Sequence, residues 1–102
     1  MTYVVIFKAR IKDLDTQYFQ TAQRMRDRAL STFNCQKFES LTEGENEIAL
    51  SYWNDLADIQ AWHNDAEHQA AQALGKKSWY QFFSVEVCEV IRHYQSSNQD
   101  IN

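Results

Sequence analysis

The sequence predicts an α+β protein with the element order β-α-β-β-α-β, and three observations support this fold class. Apolar runs near the start, the middle and the end of the chain have the length and spacing of strands. Two longer segments between these runs place apolar residues at helical spacing. The chain has no proline and only two glycines, which suits regular elements joined by short turns.

The first strand is predicted at residues 3–11, where alternate apolar side chains share one face. A helix then begins at Asp13 or Asp15 and ends within residues 31–34. Acidic residues open this helix and arginines follow in its later turns, as the helix dipole favours.

A β-hairpin follows, with strands at residues 35–41 and 47–53. The five residues between them, Thr-Glu-Gly-Glu-Asn, predict a turn in which Gly44 adopts a positive φ angle.

The second helical region is predicted at residues 56–74, with a break near Asn64. Asn64 is a favourable N-cap, and Glu67 three residues later completes a capping box. Gly75 is predicted to cap the C-terminus of this region. The last strand is expected at residues 82–94. Together these elements predict a single domain at residues 1–95, followed by a polar tail at residues 96–102.

This element order is typical of a ferredoxin-like fold, in which both helices cover one face of an antiparallel sheet. The other face of a lone sheet should be polar. Instead, apolar residues are predicted on that outer face, namely Val4, Ile6, Ala49, Trp53, Cys88 and Val90. A second copy of the sheet is the simplest cover, so we expect a homodimer that closes into an α+β barrel.

Composition excludes several classes of partner. The net charge is −4 and no basic stripe is present, so we expect no nucleic-acid binding. No apolar run resembles a signal peptide or a membrane span, and the two cysteines lack a CxxC spacing. These features predict a cytoplasmic protein with no membrane partner.

The tryptophans and histidines are concentrated in one segment. All three tryptophans and two of the three histidines lie between Trp53 and Trp79. These side chains could line a pocket for a flat ligand or form an aromatic core, and the sequence leaves both open. Trp62 shares a predicted apolar stripe with Ile59, Ala66, Ala70 and Ala73. His68 lies about half a turn from that stripe, so its removal is expected to leave stability almost unchanged.

Four segments of the chain resemble one known family. They are Ser51-Tyr52-Trp53, Ala61-Trp62, Glu67-His68-Gln69-Ala70-Ala71-Gln72, and Trp79-Tyr80 leading into Val85-Glu86-Val87. On these segments the chain is identified as a member of the antibiotic biosynthesis monooxygenases, which are small dimeric α+β-barrel proteins. The resemblance covers nearly the whole domain and identifies the fold better than the reaction.

Family members that oxidise phenolic polycyclic substrates use no metal or flavin. The resemblance therefore implies a cofactor-independent monooxygenase that deprotonates a small phenolic or quinonoid compound and lets the carbanion donate an electron to O₂. Such chemistry needs a base, an apolar slot for a flat ring, and polar groups that stabilise the anion. The candidates are His68 or His63 as the base, Trp62 and Trp79 as the slot, and Tyr52, Gln72 and Tyr80 as the polar groups.

A second branch of the superfamily degrades haem, and its pattern fits this chain poorly. The resemblance places an iron ligand ten residues after Trp62, where this chain has Gln72. The first strand carries Phe7 and Lys8 where that pattern has an asparagine, and only His68 could substitute as a ligand. No histidine pair has helical i, i+4 spacing either. We therefore expect no metal or other cofactor. The alternative function is a non-enzymatic small-molecule-binding or stress-associated protein with the same fold.

Overall fold

The computed structural model describes residues 1–97 and confirms the predicted α+β, ferredoxin-like order of elements. The strands are antiparallel and lie in the order β2-β3-β1-β4. The elements are β1 (Thr2–Ile11), α1 (Thr16–Thr32), β2 (Lys37–Glu43), β3 (Asn46–Trp53), α2 (Leu56–Asn64), α3 (Ala66–Leu74), a π-helical turn (Gly75–Trp79) and β4 (Tyr80–Val90). The division into a domain at 1–95 and a tail stays a prediction, and residues 98–102 of that tail lie outside the described residues.

An aspartate begins each α-helix. The side chains of Asp15, Asp55 and Asp65 each accept a hydrogen bond from a backbone N–H in the first turn of the following helix. The helical region does break where predicted, but the N-cap is Asp65 and not Asn64. Asn64 is the last residue of α2, because the extended ψ angle of 133° at Asp65 separates the two helices.

Two strand boundaries differ from the prediction. The second strand begins at Lys37, because the backbone N–H of Cys35 donates instead to a carbonyl at the end of α1 and Asn34 adopts a φ angle of 65°. The last strand ends at Val90, because its partner in β1 is Thr2, the first residue of that strand. The hairpin turn is as predicted, with Gly44 at a φ angle of 58°.

Gly75 is the C-cap residue of α3, as predicted, but it does not adopt the left-handed conformation of most glycine caps. Its φ angle is −60°, and the chain continues through it into the π-helical turn. Glycine is required here for space, since a Cβ at this position would lie 2.9 Å from ring carbons of Tyr80. The close approach places Tyr80 beside the helices at the start of β4.

The hydrophobic core lies between the helices and one face of the sheet, which we call the inner face. Its buried cluster consists of Val5, Ala29, Cys35, Trp53, Ile59 and Trp62. The prediction that Trp53 and Ala49 face outward is wrong. They pair with Tyr3 and Phe7 of β1, and paired residues of antiparallel strands point to the same side.

The described helices are too short or too polar to be membrane spans: within residues 1–97, no helix meets the length and hydropathy that crossing a bilayer requires.

Candidate functional site

A cavity of about 460 Å³ lies between the inner face of the sheet and the helices. This volume falls within the usual range for small-molecule pockets. Most of its lining is apolar or aromatic. The predicted site residues that line it are Trp62, His63, His68, Gln72, Trp79 and Tyr80.

Tyr52 was predicted as a polar group of the site, and that prediction is wrong. Tyr52 pairs with Val4 and Lys37 on the outer face of the sheet, opposite the cavity. The ammonium group of Lys37 lies 5.8 Å from the centre of its ring. The intervening sheet prevents the Tyr52 hydroxyl from contacting a ligand in the cavity.

His68 is the titratable group with the most unusual environment in the cavity. Its ring centre lies 4.2 Å from that of Trp62 in a nearly perpendicular arrangement, and 6.2 Å from that of His63. The Nδ1 atom is buried and has no hydrogen-bond partner in residues 1–97. Burial, with a smaller effect of His63, lowers the pKa of His68 from 6.5 to about 4, although Asp65 acts in the opposite direction. The imidazole is therefore neutral at pH 7 and can accept a proton or a hydrogen bond.

The inward position of His68 corrects the predicted helical stripe. Ala66, Ala70 and Ala73 are exposed, whereas His68 is partly buried and lines the cavity. The non-helical residue Asp65 resets the rotation of α3, so the stripe of α2 does not continue into it. The expectation that His68 lies off the core was wrong for the same reason.

Two arginines of α1 hold the start of α3 in this orientation. The guanidinium of Arg28 lies 2.6 Å from the carboxylate of Asp65, and Arg24 donates two hydrogen bonds, of 2.7 and 2.8 Å, to Glu67. Hydrogen bonds from these arginines lower the pKa of Asp65 and of Glu67. Because Asp65 also caps the backbone N–H of His68, the ion pair with Arg28 indirectly orients the histidine.

The two tryptophans of the cavity belong to separate ring clusters. Trp62 contacts Trp53 and Phe38, with ring centres 5.3 and 6.3 Å apart. Trp79 contacts Tyr18 at 5.3 Å, nearly edge to face. Both indole N–H groups are buried without a partner in the described part of the chain.

A buried carboxylate at the cavity was missed by the sequence analysis. Glu47 is 8% exposed, and its Oε1 accepts a 2.6 Å hydrogen bond from the Tyr18 hydroxyl. Burial and this hydrogen bond raise the pKa of Tyr18, and burial together with the charge of Glu47 raises the pKa of Tyr80. Both phenols therefore stay protonated. The available signal was the alternation of β3, in which Glu47 shares a face with the buried Ser51 and Trp53.

We expect the stability of the fold to decrease between pH 6.5 and pH 4 because of His68. The unfolded chain binds a proton at His68 below pH 6.5, whereas the folded chain binds it only near pH 4. The free energy of unfolding therefore decreases as the pH is lowered through this window. The loss at pH 5 should be roughly 1–2 kcal/mol, allowing for the exposed edge of the ring. Urea denaturation at pH 7.5 and pH 5 measures it.

Between pH 7.5 and pH 5, His68→Gln should lose less stability than the wild type. His93→Gln is the matched control. His93 is exposed after the end of β4, so its variant should behave like the wild type. Equal losses in the wild type and in His68→Gln would contradict the assignment.

Within residues 1–97, no group of three or more His, Cys, Asp or Glu side chains is placed to hold a metal ion.

Comparisons with known proteins place the chain in a family. No protein-family model matches it. The uncharacterized protein YqjZ of Bacillus subtilis (strain 168) is 35% identical over 101 residues, covering 96% of this chain and 89% of YqjZ.

Among solved structures, SnoaB of Streptomyces nogalater, a cofactor-independent oxygenase, gives a TM-score of 0.77 at 5% identity over 93% of this chain and 98% of SnoaB. A candidate antibiotic biosynthesis monooxygenase of Caulobacter crescentus gives 0.74 at 9% identity over 89% of this chain and 91% of that chain. The chain therefore belongs to the same family as YqjZ, and it has the fold of the antibiotic biosynthesis monooxygenases.

Proposed function

We propose that this protein is a cofactor-independent monooxygenase that acts on a small phenolic or quinonoid compound. The observation that carries the proposal is the cavity in which a partly buried, neutral histidine lies against a tryptophan. The free Nδ1 of His68 can accept a proton, and the free N–H of Trp62 can donate a hydrogen bond to the resulting oxyanion. The fold is shared with SnoaB, a cofactor-independent oxygenase.

The proposed reaction balances with O₂ as the oxidant. A base removes the phenolic proton, and the negative charge spreads to the ring carbon para to the oxygen. That carbon donates one electron to O₂, the two radicals combine to a peroxide anion, and the protonated base returns its proton to give a hydroperoxide. Loss of water leaves a quinone, so one atom of O₂ enters the product and the other leaves as water.

The roles of the lining residues follow from their positions. His68 is the proposed base, and Gln72 lies one helical turn further along α3, where its amide can orient a substrate oxygen. Tyr80 and Trp79 supply aromatic surface and hydrogen-bond donors at the part of the cavity beside β4. His63 is mostly exposed and lies at the edge of the cavity, so it is the weaker candidate for the base.

One observation favours the alternative, a small-molecule-binding protein without enzymatic activity. A pKa of about 4 makes His68 a weak base in the free protein, because efficient general bases have a pKa close to the working pH. A phenolate formed beside the ring would raise this pKa by its charge. The alternative therefore predicts binding of phenols without consumption of oxygen.

Oxygen consumption with 1-naphthol distinguishes the two functions. A monooxygenase should consume one O₂ for each 1,4-naphthoquinone formed, and the quinone should contain one ¹⁸O atom when ¹⁸O₂ is supplied. Chelator-treated protein should be equally active. Binding of 1-naphthol without oxygen uptake by this or other electron-rich phenols would contradict the proposal and support the binding protein.

We further propose that two copies of the chain pair through the outer faces of their sheets. Neighbouring strands place Tyr52, Val4 and Cys88 in one cross-strand row, and Leu50 and Ile6 in the adjacent row, with the charged residues Lys37, Glu39 and Glu86 at the ends of these rows. Monomeric proteins rarely leave a contiguous apolar patch of this kind uncovered. An identical sheet would cover it with two-fold symmetry, which is the commonest arrangement of homodimers.

Sedimentation equilibrium at micromolar concentration should therefore give a mass close to twice the 12.0 kDa of the chain. Leu50→Glu introduces a charge into the middle of the patch and should raise the dissociation constant of the dimer by about 100-fold or more. Leu30→Glu, on α1 and 41% exposed, is the control and should remain dimeric. A monomeric wild type, or an unchanged Leu50→Glu dimer, would exclude this interface.

A further inference from the structure

We propose that Glu47 is a second polar binding point of the cavity and that it accepts a hydrogen bond from a ligand hydroxyl. The ligand class that follows is an elongated aromatic diol, with one hydroxyl near His68 and the other at Glu47. The inference rests on one premise of the proposed function, namely that the cavity binds a phenolic aromatic ring.

The first support is the unsatisfied oxygen of this carboxylate. Oε1 of Glu47 accepts the hydrogen bond from Tyr18, but Oε2 is buried and has no partner among residues 1–97. A buried charged oxygen without a hydrogen bond is unfavourable, so native proteins normally provide a partner. The terminal torsion of a glutamate is soft, so a small rotation can turn Oε2 toward the cavity that Glu47 lines.

The second support is the chemistry around Glu47. A phenolic hydroxyl already occupies Oε1, so a ligand phenol on Oε2 would repeat the interaction that Tyr18 makes. Glu47 pairs with Ala9, which in turn pairs with Phe83, and both Glu47 and Phe83 line the cavity. Phe83 packs against Phe7 with ring centres 5.6 Å apart, which provides an apolar surface for a ring beside the carboxylate.

The third support is the separation between the two polar points. Trp62, beside His68, packs on Trp53 and Phe38, and Phe38 is the cross-strand partner of Ser51. Glu47 lies four residues before Ser51 on β3, which corresponds to roughly 13 Å along the strand. We take this length along the strand as the approximate separation of the two polar points, so a ligand that contacts both would be about three fused rings long, with hydroxyls at opposite ends.

The test compares two stable probes, 2-hydroxyanthraquinone and 2,6-dihydroxyanthraquinone, which differ in a single hydroxyl. Binding is measured by quenching of tryptophan fluorescence at pH 6, where the hydroxyls stay protonated. The wild type should bind the dihydroxy probe at least about tenfold more tightly, equivalent to about 1.4 kcal/mol.

Two variants assign that preference to one side chain. Glu47→Gln removes the charge at constant size, and it should reduce the preference to about threefold or less. Tyr18→Phe keeps the carboxylate and should retain the preference. Circular dichroism and thermal melts establish that both variants are folded, and Tyr18→Phe controls for the loss of the hydrogen bond between the two residues.

The outcomes separate this inference from the proposed function. A wild type without preference for the dihydroxy probe, a preference that survives in Glu47→Gln, or no binding of either probe would overturn the inference. Oxygen uptake with 1-naphthol could still occur in the first two cases. Conversely, a preference that depends on Glu47, in a protein that consumes no oxygen, would support the inference and contradict the monooxygenase.

Discussion

His68→Gln should lower the rate of oxygen consumption with 1-naphthol by about 10²-fold or more, the usual scale for loss of a general base. Glutamine retains hydrogen-bonding capacity and approximate size, but it cannot take up a proton near neutral pH. The effect should appear in kcat more than in KM, because the proton is transferred during the reaction whereas the ring is bound by the aromatic walls. Steady-state oxygen-electrode measurements at pH 7 give both constants.

Stability must be measured alongside the rate. His68 contacts the Trp62 ring, so its replacement should cost about 1 kcal/mol, and the assays belong well below the melting temperature. His93→Gln is the matched control, because it removes an exposed imidazole and should retain the full rate. Equal rates in the wild type and in His68→Gln would remove His68 from the mechanism and leave it a structural histidine.

The order of elements could be predicted from the sequence because it depends on local patterns. Strand alternation, the helical period and the turn at Gly44 each involve neighbouring residues, and the structure agrees with them within a few positions. The ends of the last strand could not be predicted in this way. Val90 ends β4 only because Thr2 begins β1, and this pairing joins residues at opposite ends of the chain.

The candidate site was predicted only in part, for two physical reasons. A single non-helical residue, Asp65, rotates α3 so that His68 faces the cavity and the alanines face solvent. The inner face of β3 carries the polar residues Glu47 and Ser51, so its composition resembles that of a solvent-facing side. The sequence therefore predicted Tyr52 at the site and Trp53 on the outer face, whereas the structure has them the other way round. Each error reversed which side chains point inward and left the boundaries of the elements almost unchanged.

Trp62, Trp79, Tyr80 and Gln72 line the cavity, and their roles in binding a ligand stay predictions. The alternation of β3 places Glu47 on the same face as Ser51 and Trp53, but only its hydrogen-bond partner explains how a carboxylate can be buried there. The hydroxyl of Tyr18, 29 positions earlier in the chain, makes its burial possible, and no local pattern records that contact.

Trp53→Ala should lower the free energy of unfolding by about 3–5 kcal/mol, which is a large part of the stability of a domain of this size. Trp53 has no exposed surface, packs on Trp62 with ring centres 5.3 Å apart, and donates a 2.8 Å hydrogen bond from its indole N–H to Ser51. Removing the indole leaves a cavity in the cluster that supports Trp62, so ligand binding should weaken as well.

A tryptophan at a subunit interface would behave differently, because its substitution would favour the monomer without unfolding it. Urea denaturation at fixed protein concentration, combined with sedimentation, separates the two effects. Tyr94→Ala, at an aromatic residue that is 85% exposed, is the control and should change the free energy of unfolding by no more than about 0.5 kcal/mol. A folded, monomeric Trp53→Ala with nearly unchanged stability would instead place Trp53 at the subunit interface. That position would require the register of β3 to be shifted by one residue, with Tyr52 on the inner face of the sheet.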